Sequence, residues 1–408
     1  MNRTWLLTLA MIFVGNVSAC WAVDIPKISN RNVFLRSTLS NSLHQFQEKK
    51  TGHVAFIGGS ITQMNGYRPM VANLLQKRFP ATTFDFTAAG ISSTCSTTGA
   101  FRLASDVLAK GPVDLFFIEF AVNDDQDAGH TAEQCIRGME GIVRQVRMHN
   151  PAADMVITYF VNPGMLTQLQ QGKTPLAMAA HDRVARHYQV STIHLAQEVA
   201  DLTLAKTISW EQYGGTHPKP FGNTIGTAMI EQLLEKAWKS PAPRKPHPTV
   251  ATLIDSHSFT LGHFIRPDQA TLQAGWKWEV PAWKEIPGSK RAQFTQIPIL
   301  QTTTPGSQAT LNFQGTAIGA YILAGPDAGI VEIQVDNGPT RKVDLYHRHS
   351  RGLHYPRTIM FAQDLDPGKH TLVLKMTGDR KQGRNGSAMR IMQFTVNGPR
   401  SNRLIIFS

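Results

Sequence analysis

The sequence predicts an α/β domain with a parallel sheet, followed by an all-β sandwich. Up to about residue 238, apolar stretches of strand length alternate with stretches of helical periodicity. The segment SPAPRKPHPT at 240–249 then contains four prolines and interrupts the pattern. Beyond it the hydrophobic period changes to two, with turn glycines between short strands. We therefore place the α/β domain at 45–238, a proline-rich linker at 239–250 and the sandwich at 251–408.

The N-terminal segment at 1–22 has the organisation of a secretory signal. A basic residue precedes an apolar run at 5–14, which is too short to span a bilayer, and small residues follow. Cleavage after Ala19 or Ala22 fits this pattern, and VSAC resembles a bacterial lipobox with Cys20 as the lipidated residue. A short buried helix is the alternative. We expect export to the periplasm, the cell envelope or the extracellular space, with membrane attachment only through a lipid at Cys20.

The α/β domain is expected to contain five strands, of which the third is apolar on both faces, as in a parallel sheet covered by helices. The strands are HVAFIGG (53–59), TTFDFTAAG (82–90), VDLFFIEFAV (113–122), ADMVITYFV (153–161) and STIHLA (191–196). Helices are expected at 67–79, 131–149 and 176–188, with a last helix after residue 217.

The second domain shows alternating short strands typical of an antiparallel sandwich. They lie at 309–325, 329–338, 342–347, 370–378 and 387–398.

The net charge of +12 is concentrated in the second half of the chain. Residues 1–240 carry 21 Lys and Arg against 18 Asp and Glu, and residues 241–408 carry 20 against 11. A basic half in an exported protein suggests anionic partners such as acidic polysaccharide, although a solvated surface without a partner is the alternative. Nucleic acid is not expected, because export removes the usual target and no recognition motif is present.

Cysteine usage excludes a disulfide framework and indicates no zinc cluster. Apart from Cys20, the mature chain retains only Cys95 and Cys135. A single disulfide between them and two buried free thiols are both compatible with the sequence.

The stretch FIGGSIT places Ser60 at the carboxyl end of a buried strand, where ligands of open α/β sheets bind. The glycines before it permit a sharp turn and a close approach of substrate, and a following helix would aim backbone N–H groups at the same point. A helix cap is the alternative for a serine in this position. Gly90, Asn123 and His217 follow at later connections on the same rim of the sheet.

These four blocks resemble the SGNH hydrolases, the superfamily that includes the GDSL esterases, over about residues 50–237. The resemblance implies a flavodoxin-like parallel sheet with helices on both faces. It implies that Ser60 is the nucleophile and His217 the general base. The oxyanion hole would comprise the backbone N–H groups of Ser60 and Gly90 and the side chain of Asn123. It implies no cofactor and no metal.

Two positions depart from the family pattern. Gly59 stands where GDSL has aspartate, and Gly214 stands where the family usually has the aspartate that orients the histidine. Three interpretations remain: a Ser–His dyad steered by a backbone carbonyl, a carboxylate from elsewhere, or an inactive enzyme. Glu211 and Glu119 are the candidate carboxylates, and we favour the dyad.

Further polar residues are candidates for secondary roles. Arg68 and Arg102 would bind an acidic substrate or form surface ion pairs. The acidic stretch DDQD at 124–127 would hold a metal or cap a helix, and we expect the cap.

The stretch YHRHSRGLHYPRT at 346–358 combines histidines, arginines and tyrosines within the sandwich. Zinc needs a fixed geometry that this stretch does not impose. We expect a loop that meets sugar or the catalytic cleft, with a plain surface loop as the alternative. Its candidate substrate-binding residues are His349, His354, Tyr355 and Arg357.

The sequence as a whole predicts an exported serine esterase that hydrolyses O-acyl esters through a Ser–His acyl-enzyme. The expected substrate is an acylated, in particular O-acetylated, poly- or oligosaccharide, and acidic glycans are included in this expectation. The alternatives are a lipid or aryl esterase of the same fold, a non-catalytic glycan-binding protein and a glycan-cleaving enzyme on this fold.

Overall fold

The structure, a computed structural model, describes residues 24–379 and 386–400. The expected signal segment and its Cys20 lie outside these residues. Within them, no helix is both long and apolar enough to cross a membrane.

The first domain is a six-stranded sheet with helices on both faces. Its strands are β1 (Val33–Phe34), β2 (Thr51–Gly58), β3 (Thr83–Gly90), β4 (Leu115–Glu119), β5 (Asp154–Thr158) and β6 (Ser191–Ile193). Its helices are α1 (Ser40–Gln47), α2 (Ser60–Gln63), α3 (Tyr67–Arg78), α4 (Ser96–Asp106), α5 (Ala132–His149), α6 (Pro163–Gln170), α7 (Leu176–His187), α8 (Leu195–Leu204), α9 (Trp210–Tyr213) and α10 (Pro220–Trp238).

The sheet has the strand order β1-β6-β5-β4-β2-β3, in which β2 to β6 are parallel and β1 is antiparallel to β6. Its five parallel strands follow the flavodoxin order, so the predicted fold class is confirmed. The order reverses between β2 and β4. Ligands of such sheets bind where the order reverses, which singles out the loops after these two strands.

Local sequence explains the elements next to this point. Every residue of β4 is buried, because helices cover both faces of the central strand. The helix α5 begins with a capping box, in which Thr131 and Gln134 each bond the other's backbone N–H. Its apolar stripe, with Ile136 and Ile142, faces the core.

The α/β domain begins earlier than the predicted residue 45. Ile28, Val33 and Leu43 belong to its hydrophobic core, and β1 adds an edge to the sheet. A two-residue strand gives too short a pattern to be recognised in sequence.

The proline-rich segment 239–250 is bound to the α/β domain along its length. Backbone N–H groups of Ala242 and Lys245 donate to Ser40 Oγ at 2.9 Å and Asn41 Oδ1 at 3.0 Å. His247 Nε2 lies 2.8 Å from the buried carboxylate of Asp154. The segment therefore has no free length between the domains.

The second domain consists of two packed antiparallel sheets, as predicted. Its strands are β7 (Gly262–Ile265), β8 (Thr271–Leu272), β9 (Lys277–Glu279), β10 (Ile299–Thr302), β11 (Gln308–Gly315), β12 (Ala317–Ala324), β13 (Ile330–Val335), β14 (Arg341–Asp344), β15 (Tyr355–Ala362), β16 (Gly368–Met376) and β17 (Met389–Asn397). One sheet has the order β15-β12-β17-β10-β9, with β7 also on β17, and the other has β14-β13-β16-β11-β8.

The strand β15 corrects the expectation of a loop over the whole of 346–358. Its residues pair with β12 from Tyr355 onward. The arginines and histidines before it masked the strand pattern, because the apolar residues that bury it occur only after residue 358.

The two domains share a packed interface on α4 and α5. Phe259 is buried with its ring 4.8 Å from that of Phe101, and its carbonyl accepts from Gln145 Nε2 at 2.9 Å. Gly141 admits this contact, since a Cβ there would lie 2.7 Å from the Phe259 oxygen. The sandwich is therefore held against the face of the sheet's helices, beside the rim that carries the site.

Candidate active site

The turn that carries Ser60 depends on two glycines for close packing. A Cβ at Gly58 would lie 2.2 Å from Thr62 Oγ1, and a Cβ at Gly59 would lie 1.9 Å from Asn123 Oδ1. Both distances are far below van der Waals contact, so only glycine lets α2 start directly after β2 with Asn123 against it. Ser60 is thereby the first residue of a short helix and is partly exposed.

Ser60 and His217 are brought together across the switch point. Ser60 Oγ lies 2.8 Å from His217 Nε2, within hydrogen-bond distance. With Nε2 unprotonated, the serine hydroxyl donates to it, which is the arrangement that a general base requires. The two residues are 157 positions apart in the chain, so the tertiary fold creates the pair.

The loop that carries His217 is held by backbone interactions. Asn223, on the first turn of α10, donates to the carbonyls of Pro218 at 2.6 Å and Lys219 at 3.0 Å, and its Oδ1 accepts from the Tyr67 N–H at 2.8 Å. The Lys219 N–H donates to the Tyr213 carbonyl at 3.0 Å. Sequence reasoning missed Asn223, whose only signal is a buried amide one turn into a helix that follows the histidine.

No carboxylate orients the imidazole among the described residues. The only hydrogen bond of the His217 ring in this part of the chain is to Ser60, so Nδ1 has neither a carboxylate nor the expected backbone carbonyl. Glu211 is exposed on α9 and makes no contact with His217 there. The position of the usual family aspartate, Gly214, has φ +110°, and a Cβ there would lie 2.1 Å from the Lys219 nitrogen. The backbone thus excludes an aspartate at this position.

Glu119 lies beneath the nucleophile turn and is fully buried. Thr62 Oγ1 donates to its Oε2 at 3.3 Å, and its Oε1 has no hydrogen-bond partner in the described part of the chain. Burial raises the pKa of Glu119 to about 7, although hydrogen bonds from the Gly59 N–H and the Thr62 hydroxyl act in the opposite direction. Glu119 therefore supports the turn and does not orient His217.

Gly90 and Asn123 lie at the ends of the strands on either side of β2. A Cβ at Gly90 would lie 2.3 Å from the Gln63 nitrogen, so the end of β3 packs directly under α2. Asn123 is buried and donates from Nδ2 to Asp127 Oδ2 at 2.6 Å. An amide nitrogen carries two hydrogens, which leaves one for an oxyanion beside Ser60.

Asp127 is a further residue that sequence reasoning did not assign to the site. It lies four residues after Asn123 on the π-helical turn Asn123–Ala128, a spacing at which side chains meet. Of the other acidic residues there, Asp124 accepts from the Ser96 N–H at 2.7 Å, at the first turn of α4. The expected cap is therefore present, on the helix before the acidic stretch and not on the one after it.

The stretch 346–358 of the sandwich contacts this turn. His347 Nε2 donates to the Asp127 carbonyl at 2.9 Å, and its ring stacks on Tyr355 at 4.3 Å. Burial and the Arg357 guanidinium lower the pKa of His347 to about 4, so the ring is neutral. His349 Nε2 lies 3.8 Å from the Asp127 carboxylate and is half exposed, which keeps it available to a ligand.

A second sandwich segment contacts the loop after β3. Arg291 donates to the Ser92 carbonyl and to Ser93 Oγ, both at 2.8 Å, and Gln293 Oε1 accepts from Gln63 Nε2 at 2.9 Å. The sandwich therefore packs against both loops that flank the nucleophile turn.

Several predicted secondary residues have other roles in the structure. Arg102 is fully buried and donates to the carbonyls of Ala89 and Gly58, so it neither binds substrate nor lies at the surface. His354 is also buried, with Nε2 3.0 Å from the Pro287 carbonyl, and is not placed to contact a polymer.

The remaining candidates are partly buried. Arg68 donates to the Thr62 carbonyl at 3.1 Å beside the nucleophile turn, and Arg357 donates to the Tyr346 carbonyl at 3.2 Å. Tyr355 is buried and its hydroxyl lies 3.4 Å from the Ser93 carbonyl. Both cysteines, Cys95 and Cys135, are buried free thiols.

Glu119→Gln should change how stability depends on pH. Because the folded-state pKa is raised from 4.5 to about 7, the folded wild type binds more protons than the unfolded chain between these values. Its free energy of unfolding therefore falls as pH rises from 4.5 to 7, by about 3 kcal/mol at 1.36 kcal/mol per pKa unit. The glutamine variant lacks this fall. Urea unfolding across this pH range measures it, with Glu211→Gln as the exposed control, and parallel curves for wild type and Glu119→Gln would contradict it.

Gly214→Asp, which restores the family residue, should destabilise the protein. The left-handed φ costs about 1–3 kcal/mol for a residue with a Cβ, and the contact with Lys219 adds to it. Gly215→Asp is the matched control, because Gly215 also has positive φ but has open space where a Cβ would lie. Denaturant unfolding should show the larger loss for Gly214→Asp. A variant as stable as Gly215→Asp would mean that the backbone accommodates the aspartate.

The candidate site lies in a region of the chain that matches a known family. Residues 56–225 match the model of the GDSL-like lipase/acylhydrolase family. The matched region includes Ser60, Gly90, Asn123 and His217. No curated protein sequence matches the chain.

Two solved structures resemble both domains together. They are crystal structures of a two-domain esterase active on acetylated mannans, one of them co-crystallised with mannopentaose. Each is 19% identical and covers 92% of this chain and 100% of its own, with TM-scores of 0.74 for the complex and 0.75 for the other. At this identity the likeness concerns the fold. Over residues 56–225 the chain is thus similar to the GDSL-like lipase/acylhydrolase family, and this match supports an esterase of the SGNH type.

Proposed function

We propose that this chain is an exported carbohydrate O-acetyl esterase that uses a Ser60–His217 dyad. The observation that carries the proposal is the 2.8 Å contact between Ser60 Oγ and His217 Nε2 at the switch point of the sheet. No carboxylate reaches His217 among the described residues, so the dyad is the favoured arrangement.

Acylation begins when Ser60 Oγ attacks the ester carbonyl and His217 Nε2 takes its proton. The negative charge on the carbonyl oxygen is stabilised by the Ser60 and Gly90 N–H groups and by the free hydrogen of the Asn123 amide. Collapse of the tetrahedral intermediate releases the sugar hydroxyl, which takes its proton from His217. The acetyl group then remains on Ser60.

Deacylation repeats these steps with water as the nucleophile. His217 takes a proton from water, and the resulting hydroxide attacks the acetyl-serine carbonyl, whose oxygen occupies the same oxyanion hole. Acetate leaves and Ser60 recovers its proton from His217. The hydrogen bonds of Asn223 hold the backbone of the loop that carries His217 through both steps, and no aspartate contributes to them.

The carbohydrate substrate is supported by the position of the sandwich. Gln293 and His347 bring it into contact with the loops on both sides of the nucleophile turn. A polymer that presents an acetyl group to Ser60 would then lie along the sandwich. The solved two-domain esterase that resembles 92% of this chain is active on acetylated mannans, which agrees with this substrate class. The basic charge of residues 241–408 favours glycans that also carry acidic groups.

Export is proposed from the N-terminal segment, and a lipid anchor from Cys20. An anchored protein partitions into detergent, and Cys20→Ala should move it to the soluble fraction. If the wild-type protein is found in the soluble fraction after cell fractionation, the lipid anchor is contradicted and export without an anchor is the remaining interpretation.

Ser60→Ala should abolish acetate release from acetylated mannan or xylan while the thermal midpoint stays within a few degrees, because the hydroxyl is partly exposed. Ser105→Ala on α4 is the control and should retain full activity. A preference of the wild type for long-chain p-nitrophenyl esters would indicate a lipase. No hydrolysis of any ester would indicate a binding protein.

Asn123→Ala should lower kcat by about 10²–10³, the usual effect of losing one oxyanion donor. KM should change little, because the amide contacts the oxygen mainly after charge has developed on it. Steady-state kinetics on p-nitrophenyl acetate measure both constants. A folded variant with full kcat would place the oxyanion hole elsewhere.

A further inference from the structure

Beside the site, the fold assembles a second cluster of reactive side chains that the esterase mechanism does not use. Cys95 precedes α4, Asp124 follows Asn123 on the π-helical turn, and His130 precedes α5. One sulfur, oxygen or nitrogen atom of each lies within 4.8 Å of the others. A thiolate, a carboxylate and an imidazole are the three side chains that bind Zn²⁺ in proteins.

The geometry of Asp124 and His130 fits a shared metal better than a direct bond. Asp124 Oδ1 lies 3.5 Å from His130 Nδ1, and that nitrogen is buried without a hydrogen-bond partner among the residues that the structure describes. A buried polar atom without a partner is costly. Two ligands at about 2.1 Å from a tetrahedral zinc ion lie about 3.4 Å apart, close to the separation seen here.

Asp124 is already oriented as a metal ligand. Its Oδ2 accepts from His181 Nε2 at 2.9 Å and from Ser96 Oγ at 2.6 Å, and its Oδ1 accepts from the Ser96 N–H at 2.7 Å. Outer hydrogen bonds of this kind hold metal-binding carboxylates in place. One lone pair of Oδ1 remains on the side of His130.

The cluster opens onto a cavity. Cys95 and His130 line a cavity of about 210 Å³, together with Asp127, His347 and Tyr355. The cavity provides an entry path for an ion and space for a fourth ligand, which three-residue zinc sites leave open. A thiolate and a carboxylate also oppose the charge of a divalent cation in a buried site.

A second group formed by Asp124, Cys135 and His181 is a weaker candidate. All three of its side chains are fully buried, and its Asp–His pair already forms a 2.9 Å hydrogen bond. The Asp124 carboxylate and the His181 imidazole are therefore too close together to share a metal ion between them. His181 therefore orients the Asp124 carboxylate by a hydrogen bond and is not itself a metal ligand.

We propose that Cys95, Asp124 and His130 form a binding site for a divalent cation of the zinc class, with its fourth position facing the cavity. The sequence offered Asp124 as a metal ligand only within the stretch DDQD. It did not indicate Cys95 or His130, because the three residues lie 29 and 6 positions apart and match no common ligand spacing. The proposal is independent of the proposed esterase function, since neither Ser60 nor His217 is a ligand.

The test uses the full-length protein, stripped with a chelator under reducing conditions and titrated with Zn²⁺ or Co²⁺ alone. We expect one ion per chain, a thermal midpoint that rises with Zn²⁺, and the near-ultraviolet charge-transfer absorption of a Co²⁺–thiolate bond. Cys95→Ser should remove the Co²⁺ band, and His130→Gln should weaken binding by at least about 100-fold, beyond the usual effect of an outer contact.

Three controls separate the proposal from its alternatives. Cys135→Ser should keep the Co²⁺ band. His149→Gln, which changes an exposed histidine, should bind the ion as the wild type does, and so should Ser60→Ala, which is expected to lack esterase activity. If circular dichroism shows that Cys95→Ser does not fold, the metal affinity of His130→Gln tests the proposal instead. The proposal is overturned if the wild type takes up no ion, if the band depends on Cys135 and not on Cys95, or if His130→Gln binds as tightly as the wild type.

Discussion

The close backbone approach at Gly58 and Gly59 is the constraint on which the rest of the site depends. Side-chain atoms of Thr62 and Asn123 occupy the space where Cβ atoms would otherwise be. This contact sets the start of α2, the exposure of Ser60 and the position of the amide that would meet the oxyanion. Glu119 also stabilises this turn, because its carboxyl group accepts a hydrogen bond from the Thr62 hydroxyl. A larger residue at either glycine would separate the nucleophile from Asn123, even if the sheet stayed intact.

The histidine is positioned in a different way from that of a serine-protease triad. There, a buried carboxylate bonds the imidazole directly. Here, Asn223 and Tyr213 hold the backbone on both sides of His217, and the ring itself bonds only Ser60 among the described residues. The tight turn at Gly214 accompanies this arrangement, since its positive φ and its contact with Lys219 leave no room for the aspartate. Backbone hydrogen bonds thus position the loop, and no carboxylate bonds the ring among the described residues.

The sequence was most informative where burial is strongest. The parallel strands read as continuous apolar runs, and the order of Ser60, Gly90, Asn123 and His217 follows from the rim on which parallel strands end. It was least informative where a role depends on distant contacts. His354 and Arg102 have the residue types of binding groups, but neighbours far apart in the chain bury them. Asp127 and Asn223 are ordinary polar residues whose roles arise only when the loops meet. The strand β1 was missed because two residues cannot show a period.

The bound proline-rich segment has a consequence for how the two halves of the chain depend on one another. Such segments usually join domains that move or fold separately. Here its backbone satisfies Ser40 and Asn41, and its histidine pairs with the Asp154 carboxylate at the sheet. Phe259 then fills the space over Gly141. Severing the chain after α10 would remove His247, one of the partners of the buried Asp154 carboxylate, and would expose the surface that Phe259 covers. The α/β domain therefore depends on contacts from the residues that follow it. A chimera that exchanges the sandwich between related enzymes would have to retain the segment 239–250 and Phe259.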